Sequence, residues 1–296
     1  MSVHNVLITG GTGFLGSHLV ELLSDNNYRL TLIKRSFSDT SRLNKISKDI
    51  FYYNIDNTSI SQIFDDNDYD AIIHLATSYG RDEKTSLEEM IDTNITFPSL
   101  ILREGLKNDI KLFLNSDTSV PSNYNFYSAT KSAFKKILDF YSSGSHAKFV
   151  NLKLHYMYGE NDDFSKFIPM TIKNLLGGNA VDATEGFQKR DFIYVKDVAK
   201  CFMAALINES NLTAGRSDFE VGTGKSISLR DFISVIEEIT GKKNLVNWGY
   251  YPYRDSEIFD LFADIRSTKK ILKWNPETDI YDGLNRTIMS YQNQGQ

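Results

Sequence analysis

A short apolar run near the N-terminus leads directly into a glycine-rich turn and then into an amphipathic helical pattern. The run is Val6-Leu7-Ile8, and the turn reads Thr9-Gly10-Gly11-Thr12-Gly13-Phe14-Leu15-Gly16. A strand, a glycine turn and a helix N-terminus in this order direct free backbone N–H groups toward a pyrophosphate. The pattern therefore predicts a dinucleotide site. In it, Gly10 permits the tight turn, Gly13 the approach of the phosphates, and Gly16 close packing of the helix.

Short apolar strands alternate with amphipathic helices through the first half of the chain. Strand candidates lie at 5–8, 30–33, 51–53, 71–75, 111–114 and 149–154, with helical patterns at 13–23, 59–64, 87–107 and 127–141. This alternation is typical of a doubly wound parallel sheet. After Tyr158-Gly159 the regular alternation of strands and helices ends. Helical patterns at 164–176, 198–207 and 229–239 then indicate a second lobe. We expect an α/β Rossmann-type sheet over 1–158, completed by segments near 190–223, with 159–296 mainly a smaller substrate-binding lobe.

The composition favours a soluble enzyme over several other classes. The 296-residue chain is 41% hydrophobic with a net charge of −5, so it can bury a large core and lacks the basic surface that nucleic-acid binding requires. No apolar run reaches membrane-spanning length, and the chain enters a strand without a charged leader, which predicts a cytoplasmic protein. Five histidines without paired spacing predict no metal site, and the single cysteine, Cys201, lies in a helical pattern typical of core packing.

The end of the second strand carries basic residues where an NAD site usually carries an acid. In an NAD site, an Asp or Glu about 20 residues past the glycine turn accepts from the ribose 2′-OH. Here that place holds Lys34-Arg35-Ser36, and no acidic residue occurs between Asn26 and Ser38. Two cations and a hydroxyl suit a 2′-phosphate, so we expect NADPH rather than NAD as the cofactor. The alternative is that Lys34 and Arg35 are solvated residues at the end of a strand.

A tyrosine and a lysine at helical spacing are the catalytic candidates. They occur in the segment Tyr127-Ser128-Ala129-Thr130-Lys131, and positions i and i+4 share one face of a helix. An ammonium beside a phenol favours the ionised phenol and would lower the pKa of Tyr127. With sixteen tyrosines in the chain the spacing alone is weak, but the pair begins the helix after a strand that ends at the expected crevice. The alternative is an aromatic residue packed under a helix.

A hydroxyl at the end of that strand completes the candidate catalytic group. The strand reads Lys111-Leu112-Phe113-Leu114-Asn115-Ser116-Asp117-Thr118. Ser116 would hydrogen-bond the substrate oxygen, and Thr118 is the alternative hydroxyl.

Motifs along most of the chain resemble the extended short-chain dehydrogenase/reductases that modify nucleotide sugars. The matching segments are the glycine turn, His74-Leu75-Ala76-Thr77, Asn94, Ser116, Tyr127, Lys131, Tyr158-Gly159, 190–199 and Val221-Gly222-Thr223-Gly224. Within that family, 73–80, 113–117 and 163–169 are most similar to 4-keto-sugar reductases of the CDP-abequose synthase type. Two positions depart from the family pattern. Lys153 stands where arginine is common, and 156–160 reads Tyr-Met-Tyr-Gly-Glu instead of Asn-Val-Tyr-Gly-Pro.

The resemblance, taken with the residues above, gives the expected binding sites. The expected cofactor-binding residues are Gly10, Gly13, Phe14, Leu15, Gly16, Lys34, Arg35, Ser36, Leu75, Ala76, Thr77, Asn94, Tyr127 and Lys131. The expected substrate-binding residues are Tyr79, Ser116, Asp117, Arg190 and Arg254, with the two arginines on a diphosphate. Exposed ion pairs with acidic neighbours are the alternative role for the arginines.

The resemblance implies an NADPH-dependent oxidoreductase that reduces the C4 ketone of a nucleotide-activated deoxyhexose in surface-polysaccharide (O-antigen, lipopolysaccharide) synthesis. Tyr127 would protonate the emerging alkoxide while Lys131 tunes it and holds the nicotinamide ribose. One alternative is an epimerase or dehydratase that recycles its hydride on bound NAD, although a dehydratase usually carries a Glu after the Asp at 117. Another is a non-catalytic NADP-binding regulator. We expect a homodimer, and the nucleotide base and product stereochemistry stay open.

Overall fold

A seven-stranded sheet forms the centre of the computed structural model, which describes residues 3–46, 50–80 and 85–294. In chain order the strands are β1 (Asn5–Thr9), β2 (Arg29–Lys34), β3 (Phe51–Asn54), β4 (Ala71–His74), β5 (Leu112–Thr118), β6 (Lys148–Leu154), β7 (Tyr156–Tyr158), β8 (Val181–Asp182), β9 (Lys189–Arg190), β10 (Phe192–Tyr194), β11 (Gly215–Val221), β12 (Ile227–Ser228), β13 (Val246–Asn247) and β14 (Asp260–Leu261). Six strands pair in parallel in the order β6-β5-β4-β1-β2-β3, and β11 completes the sheet beside β6. The expected α/β doubly wound sheet is confirmed. Its strand order reverses at β1 and β4, where such sheets form a ligand crevice.

Helices connect these strands. They are α1 (Phe14–Asp25), α2 (Ile60–Asp65), α3 (Leu87–Ile91), α4 (Phe97–Lys107), α5 (Phe126–Ser142), α6 (Phe167–Leu176), α7 (Val195–Ile207), α8 (Leu229–Thr240), α9 (Arg266–Leu272) and α10 (Ile280–Gln294). The central strands are continuous apolar runs because helices cover both faces of a parallel sheet. Val6, Leu7 and Ile8 of β1 are accordingly 0% exposed.

The helix predicted over 87–107 is interrupted. Between α3 and α4 the chain forms one wide π turn, Asp92–Thr96. Pro98, the second residue of α4, has no N–H to donate to the carbonyl of Asn94, so the regular hydrogen-bond ladder cannot run through this point. Such turns often occur at functional sites. Here the turn carries the buried side chain of Asn94, which is 1% exposed.

The chain divides into two compact units. The first holds the described residues up to Leu154 together with 199–220 and 266–274, and the second holds 155–198, 221–265 and the described residues from Asn275. The sequence analysis placed the boundary after 158 and one returning segment near 190–223, whereas here the first unit is completed by 199–220 and, unexpectedly, by 266–274. The latter segment contains α9. Its Thr268 hydroxyl donates to the Glu220 carbonyl at 2.7 Å, a long-range contact without a sequence signal.

The second unit has an aromatic core of its own. The rings of Phe192 and Phe232 stack with centroids 3.9 Å apart, and Tyr158 packs edge-on against Phe232. Beside them the buried carboxylate of Asp191 accepts hydrogen bonds from the backbone N–H groups of Thr223, Gly224 and Ala263. By accepting these bonds, Asp191 holds together three separate stretches of chain, namely its own, 223–224 and Ala263.

Membrane and metal features are absent from the described residues. In 3–46, 50–80 and 85–294, no helix combines the length and apolar character needed to cross a bilayer. Across those ranges, no group of three or more His, Cys, Asp or Glu side chains is arranged to hold a metal ion. Cys201 is buried, and burial raises the pKa of its thiol well above the usual value, so it packs as a neutral group.

Candidate active site

The glycine turn between β1 and α1 forms a cradle lined by main chain. Gly10 has φ +72°, and a Cβ on Gly16 would lie 2.1 Å from the Gly10 carbonyl oxygen, so neither position accepts a side chain. The Gly13 N–H donates to the Gly10 carbonyl at 3.1 Å, and α1 begins at the next residue. Gly13 has no side chain to cap α1, so the positive end of the helix dipole faces the glycine turn. A cradle of this kind fits the pyrophosphate of a dinucleotide.

A polar cavity of about 420 Å³ lies at the carboxyl ends of β2 and β3. Its lining consists of one ammonium, three aliphatic hydroxyls, a phenol and an amide, from Lys34, Ser36, Ser38, Thr40, Tyr52 and Asn54. Lys34 Nζ donates to Asn54 Oδ1 at 2.9 Å, which holds the ammonium at the cavity. None of the six lining residues is acidic, and the acid beside them is Asp56, whose carboxylate accepts from the Ser36 N–H at 2.8 Å. The Lys34 ammonium and the hydroxyls of the lining can bind an anion.

Two arginines lie near this cavity. One of them, Arg35, is placed differently from the sequence prediction, and the other was not predicted. Arg35 is exposed, with its guanidinium 3.8 Å from a Glu89 carboxylate oxygen and 4.7 Å from the centre of the Phe37 ring, and it does not line the cavity. Arg42, which the sequence analysis did not select, donates to the Thr12 carbonyl in the glycine turn at 3.5 Å. Its position follows from the fold of 35–43, for which the sequence carries no periodic signal.

Tyr127 and Lys131 lie on the first turns of α5. Asn125 caps this helix, since its side chain accepts from the Ser128 N–H at 2.9 Å while the Ser128 hydroxyl accepts from the Asn125 N–H. Tyr127 is half-buried, and Lys131 is 1% exposed. The Thr77 and Thr118 hydroxyls act on the Tyr127 phenol in the direction that lowers its pKa. The structure therefore places a hydroxyl of β5, that of Thr118, near the tyrosine, together with that of Thr77.

The ionisation of Tyr127 differs from the expectation. The helical spacing predicted that Lys131 would lower the pKa of Tyr127. Instead, burial, followed by the nearby Tyr79 and Asp117, raises this pKa well above its ordinary value. Burial also lowers the pKa of Lys131 to about 8, and Asp117 opposes that change. In the described chain, desolvation of the Tyr127 phenol has a larger effect on its pKa than the Lys131 side chain at i+4. Tyr127 is thereby kept protonated.

Asn94 joins the loop after β4 to α5. Its Oδ1 accepts from the Ser78 N–H at 2.8 Å and the Thr77 hydroxyl at 3.1 Å, and its Nδ2 donates to the Ser78 carbonyl and to Thr130 Oγ1. These bonds use the amide fully inside the protein. Asn94 thus fixes Thr77, which contacts Tyr127, and the exposed ring of Tyr79 lies 4.9 Å from the Tyr127 ring, centre to centre.

A histidine at the end of β4 contacts the end of β1. His74 Nδ1 lies 2.7 Å from Thr9 Oγ1, and the same hydroxyl accepts from the Ala76 N–H at 3.4 Å. Leu75 is buried, and Ala76 packs so closely that a Cβ on Gly10 would lie 2.5 Å from its nitrogen. The predicted residues Leu75 and Ala76 are therefore adjacent to the glycine cradle.

The end of β5 presents its side chains to alternate faces of the sheet. Ser116 is 7% exposed and shares a face with Thr118, which contacts the Tyr127 phenol. Asp117 projects from the other face. Its carboxylate accepts from Asn151 Nδ2 at 2.7 Å and from the Thr118 N–H at 2.8 Å. Asp117 was expected to bind substrate, but hydrogen bonds hold its carboxylate inside the protein.

The two arginines expected on the substrate lie in the second unit. Arg190 is 7% exposed, pairs with the Glu257 carboxylate and donates to the Lys189 and Ile258 carbonyls. Its guanidinium also lies 5.3 Å from the centre of the Tyr156 ring. Arg254 is exposed. The two side chains thus differ sharply, because one is anchored by its own unit and the other is not buried.

Curated relatives match nearly the whole chain. A CDP-abequose synthase of Salmonella muenchen is 30% identical over 290 residues, covering 96% of this chain and 96% of the relative. A putative UDP-glucose 4-epimerase of Methanocaldococcus jannaschii is 26% identical over 311 residues, covering 96% of this chain and 97% of the relative. The similarity therefore extends to a synthase and an epimerase.

Solved structures share the fold. UDP-glucose 4-epimerase of Thermotoga maritima with UDP-glucose superposes with a TM-score of 0.87 at 23% identity, covering 99% of this chain and 100% of that one. UDP-glucuronic acid 4-epimerase of Bacillus cereus, in complex with UDP-glucuronic acid and NAD, gives a TM-score of 0.87 at 23% identity, covering 98% and 99%. The sequence pattern of the NAD dependent epimerase/dehydratase family matches residues 6–222. With the glycine cradle and the Tyr127–Lys131 pair in place, this match makes the chain a member of the NAD dependent epimerase/dehydratase family, whose enzymes use a nicotinamide dinucleotide.

Proposed function

We propose that this protein is an NADPH-dependent reductase of the C4 ketone of a nucleotide-activated deoxyhexose. The observation that carries the proposal is the acid-free cavity at the ends of β2 and β3, with Lys34 and three hydroxyls in its lining. A cavity suited to a 2′-phosphate favours NADP over NAD, and NADP-linked enzymes usually draw on the reducing pool. The similarity to the Salmonella CDP-abequose synthase supports a nucleotide-sugar substrate.

The residues of the first unit are suited to protonating a ketone oxygen. When bound, NADPH supplies the hydride added to the carbonyl carbon. Tyr127 donates its phenolic proton to the oxygen, with the Thr77 and Thr118 hydroxyls near the phenol. The ammonium of Lys131 stabilises the negative charge left on Tyr127. Ser116 donates a hydrogen bond to the ketone oxygen, and Thr118 is the alternative donor.

Cofactor and substrate contacts follow from the same arrangement. The pyrophosphate would lie at Gly10, Gly13 and Gly16, and the 2′-phosphate at Lys34 and Ser36. The substrate diphosphate would be bound by the exposed Arg254 and, beside its pairing with Glu257, by Arg190 of the same unit. The homodimer implied by the family resemblance stays a prediction.

Removal of the Lys34 ammonium from the cavity should lower the affinity for NADPH and not that for NADH. We expect Lys34→Ala to weaken NADPH about tenfold, because one hydrogen bond to a charged phosphate is lost, and to leave NADH affinity nearly unchanged. Fluorescence titration of the purified protein with each cofactor measures both constants. Arg35→Ala is the matched control, since Arg35 does not line the cavity, and it should have the smaller effect. Equal affinity of the unmodified protein for NADPH and NADH would contradict the cofactor assignment.

An epimerase or dehydratase remains the second candidate, because the similar structures include epimerases, one of them in complex with NAD. Such an enzyme must first remove a proton from a sugar hydroxyl, which needs an ionised tyrosine. The two candidates also differ in where the hydride ends.

The fate of the hydride distinguishes the two candidates. Purified protein is dialysed and mixed with 4-deuterated NADPH and a panel of CDP-, dTDP- and GDP-linked 4-keto-6-deoxysugars. We expect one nicotinamide to be oxidised for each sugar reduced, with deuterium at C4 of the product by mass spectrometry and NMR. Product formed without added NADPH, or without deuterium at C4, would assign the protein to the internally recycling class.

A further inference from the structure

The ring of Tyr79 lies against the ring of Tyr127, and the steps of the proposed reaction give it no part. The two ring centres are 4.9 Å apart, and the ring planes are inclined by 38°. This separation lies within the range at which aromatic side chains attract each other. Tyr79 is exposed and Tyr127 is half-buried, so the outer ring covers part of the inner one.

One buried amide holds the main chain on both sides of this ring contact. Asn94 Oδ1 accepts from the Ser78 N–H at 2.8 Å, and Asn94 Nδ2 donates to the Ser78 carbonyl at 2.8 Å. The same Nδ2 donates to Thr130 Oγ1 at 3.0 Å, and the Thr130 hydroxyl donates to the Tyr127 carbonyl at 2.7 Å. Asn94 therefore links the residue before Tyr79 to the main chain of Tyr127.

The residue after Tyr79 is fixed as well. Gly80 has φ +60°, a conformation that favours glycine, and a Cβ there would lie 2.4 Å from Met90 Sδ. Met90 belongs to α3 and is buried, so the main chain at Gly80 packs directly on an immobile side chain. With Ser78 bonded on one side and Gly80 packed on the other, the ring of Tyr79 stays beside Tyr127.

The inner tyrosine lies in the first turn of a capped helix. Asn125 and Ser128 exchange two hydrogen bonds at the start of α5, which fixes the main chain of Tyr127. The cap does not act on the Tyr127 ring, whose orientation about its side-chain bonds depends on the groups packed against it. A proton donor must also have its oxygen within hydrogen-bond distance of the acceptor. The orientation of this ring is therefore part of the chemistry.

We propose that Tyr79 is a positioning residue of the active site, whose ring keeps the Tyr127 ring in the orientation from which it donates its proton. The inference rests on the proposed function, in which Tyr127 is the proton donor. The ring of Tyr79 exerts this effect and its hydroxyl does not, so phenylalanine can replace it. Loss of the ring lowers the fraction of molecules in which Tyr127 is correctly oriented, and it leaves the binding of substrate unchanged.

Two substitutions at position 79 test this role in the assay with NADPH and the substrate found by the panel above. We expect Tyr79→Ala to lower kcat about three- to tenfold with KM little changed, since loss of one aromatic contact shifts an equilibrium between ring orientations by about that factor. Tyr79→Phe should retain the kcat of the unmodified protein, because the ring is kept. If Tyr79→Ala does not give folded protein, Tyr79→Leu takes its place, since leucine fills the space without a ring.

The NMR signals of the Tyr127 ring give a second measurement, which needs neither cofactor nor substrate. Tyrosine ring carbons are labelled with ¹³C, and Tyr127→Phe identifies the Tyr127 signals. An aromatic ring 4.9 Å away shifts these signals by its ring current. The signals should therefore move in Tyr79→Ala and keep nearly their original positions in Tyr79→Phe.

Phe140→Ala is the matched control for the loss of an exposed ring from a tyrosine. Phe140 is 76% exposed and lies near the other end of α5, with its ring centre 5.4 Å from that of Tyr141. Its loss should move the Tyr141 signals and leave both kcat and the Tyr127 signals unchanged.

Three results would overturn the inference. The first is an unchanged kcat or unchanged Tyr127 signals in folded Tyr79→Ala. The second is an increase in KM at unchanged kcat, which would place Tyr79 on the substrate, as the family resemblance implies. The third is a loss of kcat in Tyr79→Phe as large as in Tyr79→Ala, which would assign the effect to the hydroxyl.

The ring signals do not depend on which reaction the protein performs. Absence of deuterium at C4 would refute the proposed reductase, whereas the Tyr127 signals would still decide whether Tyr79 holds the Tyr127 ring. The two failures are therefore distinguishable.

Discussion

Tyr127→Phe is expected to lower turnover by about 10²–10⁴-fold, the usual contribution of a general acid, while leaving NADPH affinity nearly intact. Only the phenolic oxygen is lost, and the ring that packs 4.9 Å from Tyr79 is retained. The nearby Thr77 hydroxyl keeps its hydrogen bond to Asn94 Oδ1 in the variant. Steady-state rates with the identified substrate and fluorescence titration with NADPH measure the two quantities.

Tyr124→Phe is the matched control for this experiment. Tyr124 is a half-buried tyrosine just before α5, and the structure gives it no part in the candidate site. Its variant should retain the turnover of the unmodified protein. If Tyr127→Phe also retained it, Tyr127 could not be the proton donor.

Gly16→Ala is expected to weaken NADPH binding by about 100-fold, because a shift of the turn breaks main-chain hydrogen bonds to a charged phosphate that are worth about 1.5–3 kcal/mol each. The added Cβ would lie 2.1 Å from the Gly10 carbonyl oxygen, so the glycine turn or α1 must shift. Fluorescence titration measures the affinity, and circular dichroism checks that the variant is folded.

Gly177→Ala serves as the control for an added methyl group. Its Cβ would meet only the movable amide of Asn179 closely, at 2.9 Å, and we expect no change in affinity. Unchanged NADPH binding by folded Gly16→Ala would show that the cofactor does not use the cradle.

The sequence was most informative where local chemistry and periodicity agree. The turn at Gly10 to Gly16 follows a fully buried strand, and the helix after it is amphipathic, so both the fold class and the cradle could be predicted from the residues. The Tyr127–Lys131 spacing likewise placed the pair on one helix, because Asn125 and Ser128 cap that helix locally.

Contacts between distant residues could not be predicted. The pairing of Asp117 with Asn151 and the contact of Arg42 with Thr12 depend on tertiary structure. The prediction of a lowered pKa for Tyr127 was wrong for the same reason. Helical spacing identifies the neighbour at i+4 but not the burial that has the largest effect on this pKa. That Arg35 would not line the cavity was also not visible from its place at a strand end.

The wide turn at Asp92–Thr96 bears on how this protein can change in length. A π turn accommodates one more residue than a regular helical turn, so deletion of a residue there would restore regular winding. Each residue of an α-helix advances the side chains by about 100°. A deletion within α4 itself, which has no wide turn to absorb it, would rotate the side chains that follow by that angle, and Ile101 and Leu102, both 0% exposed, would leave the core. Relatives that keep this sheet are therefore expected to differ by one residue at 92–96 more readily than within α4.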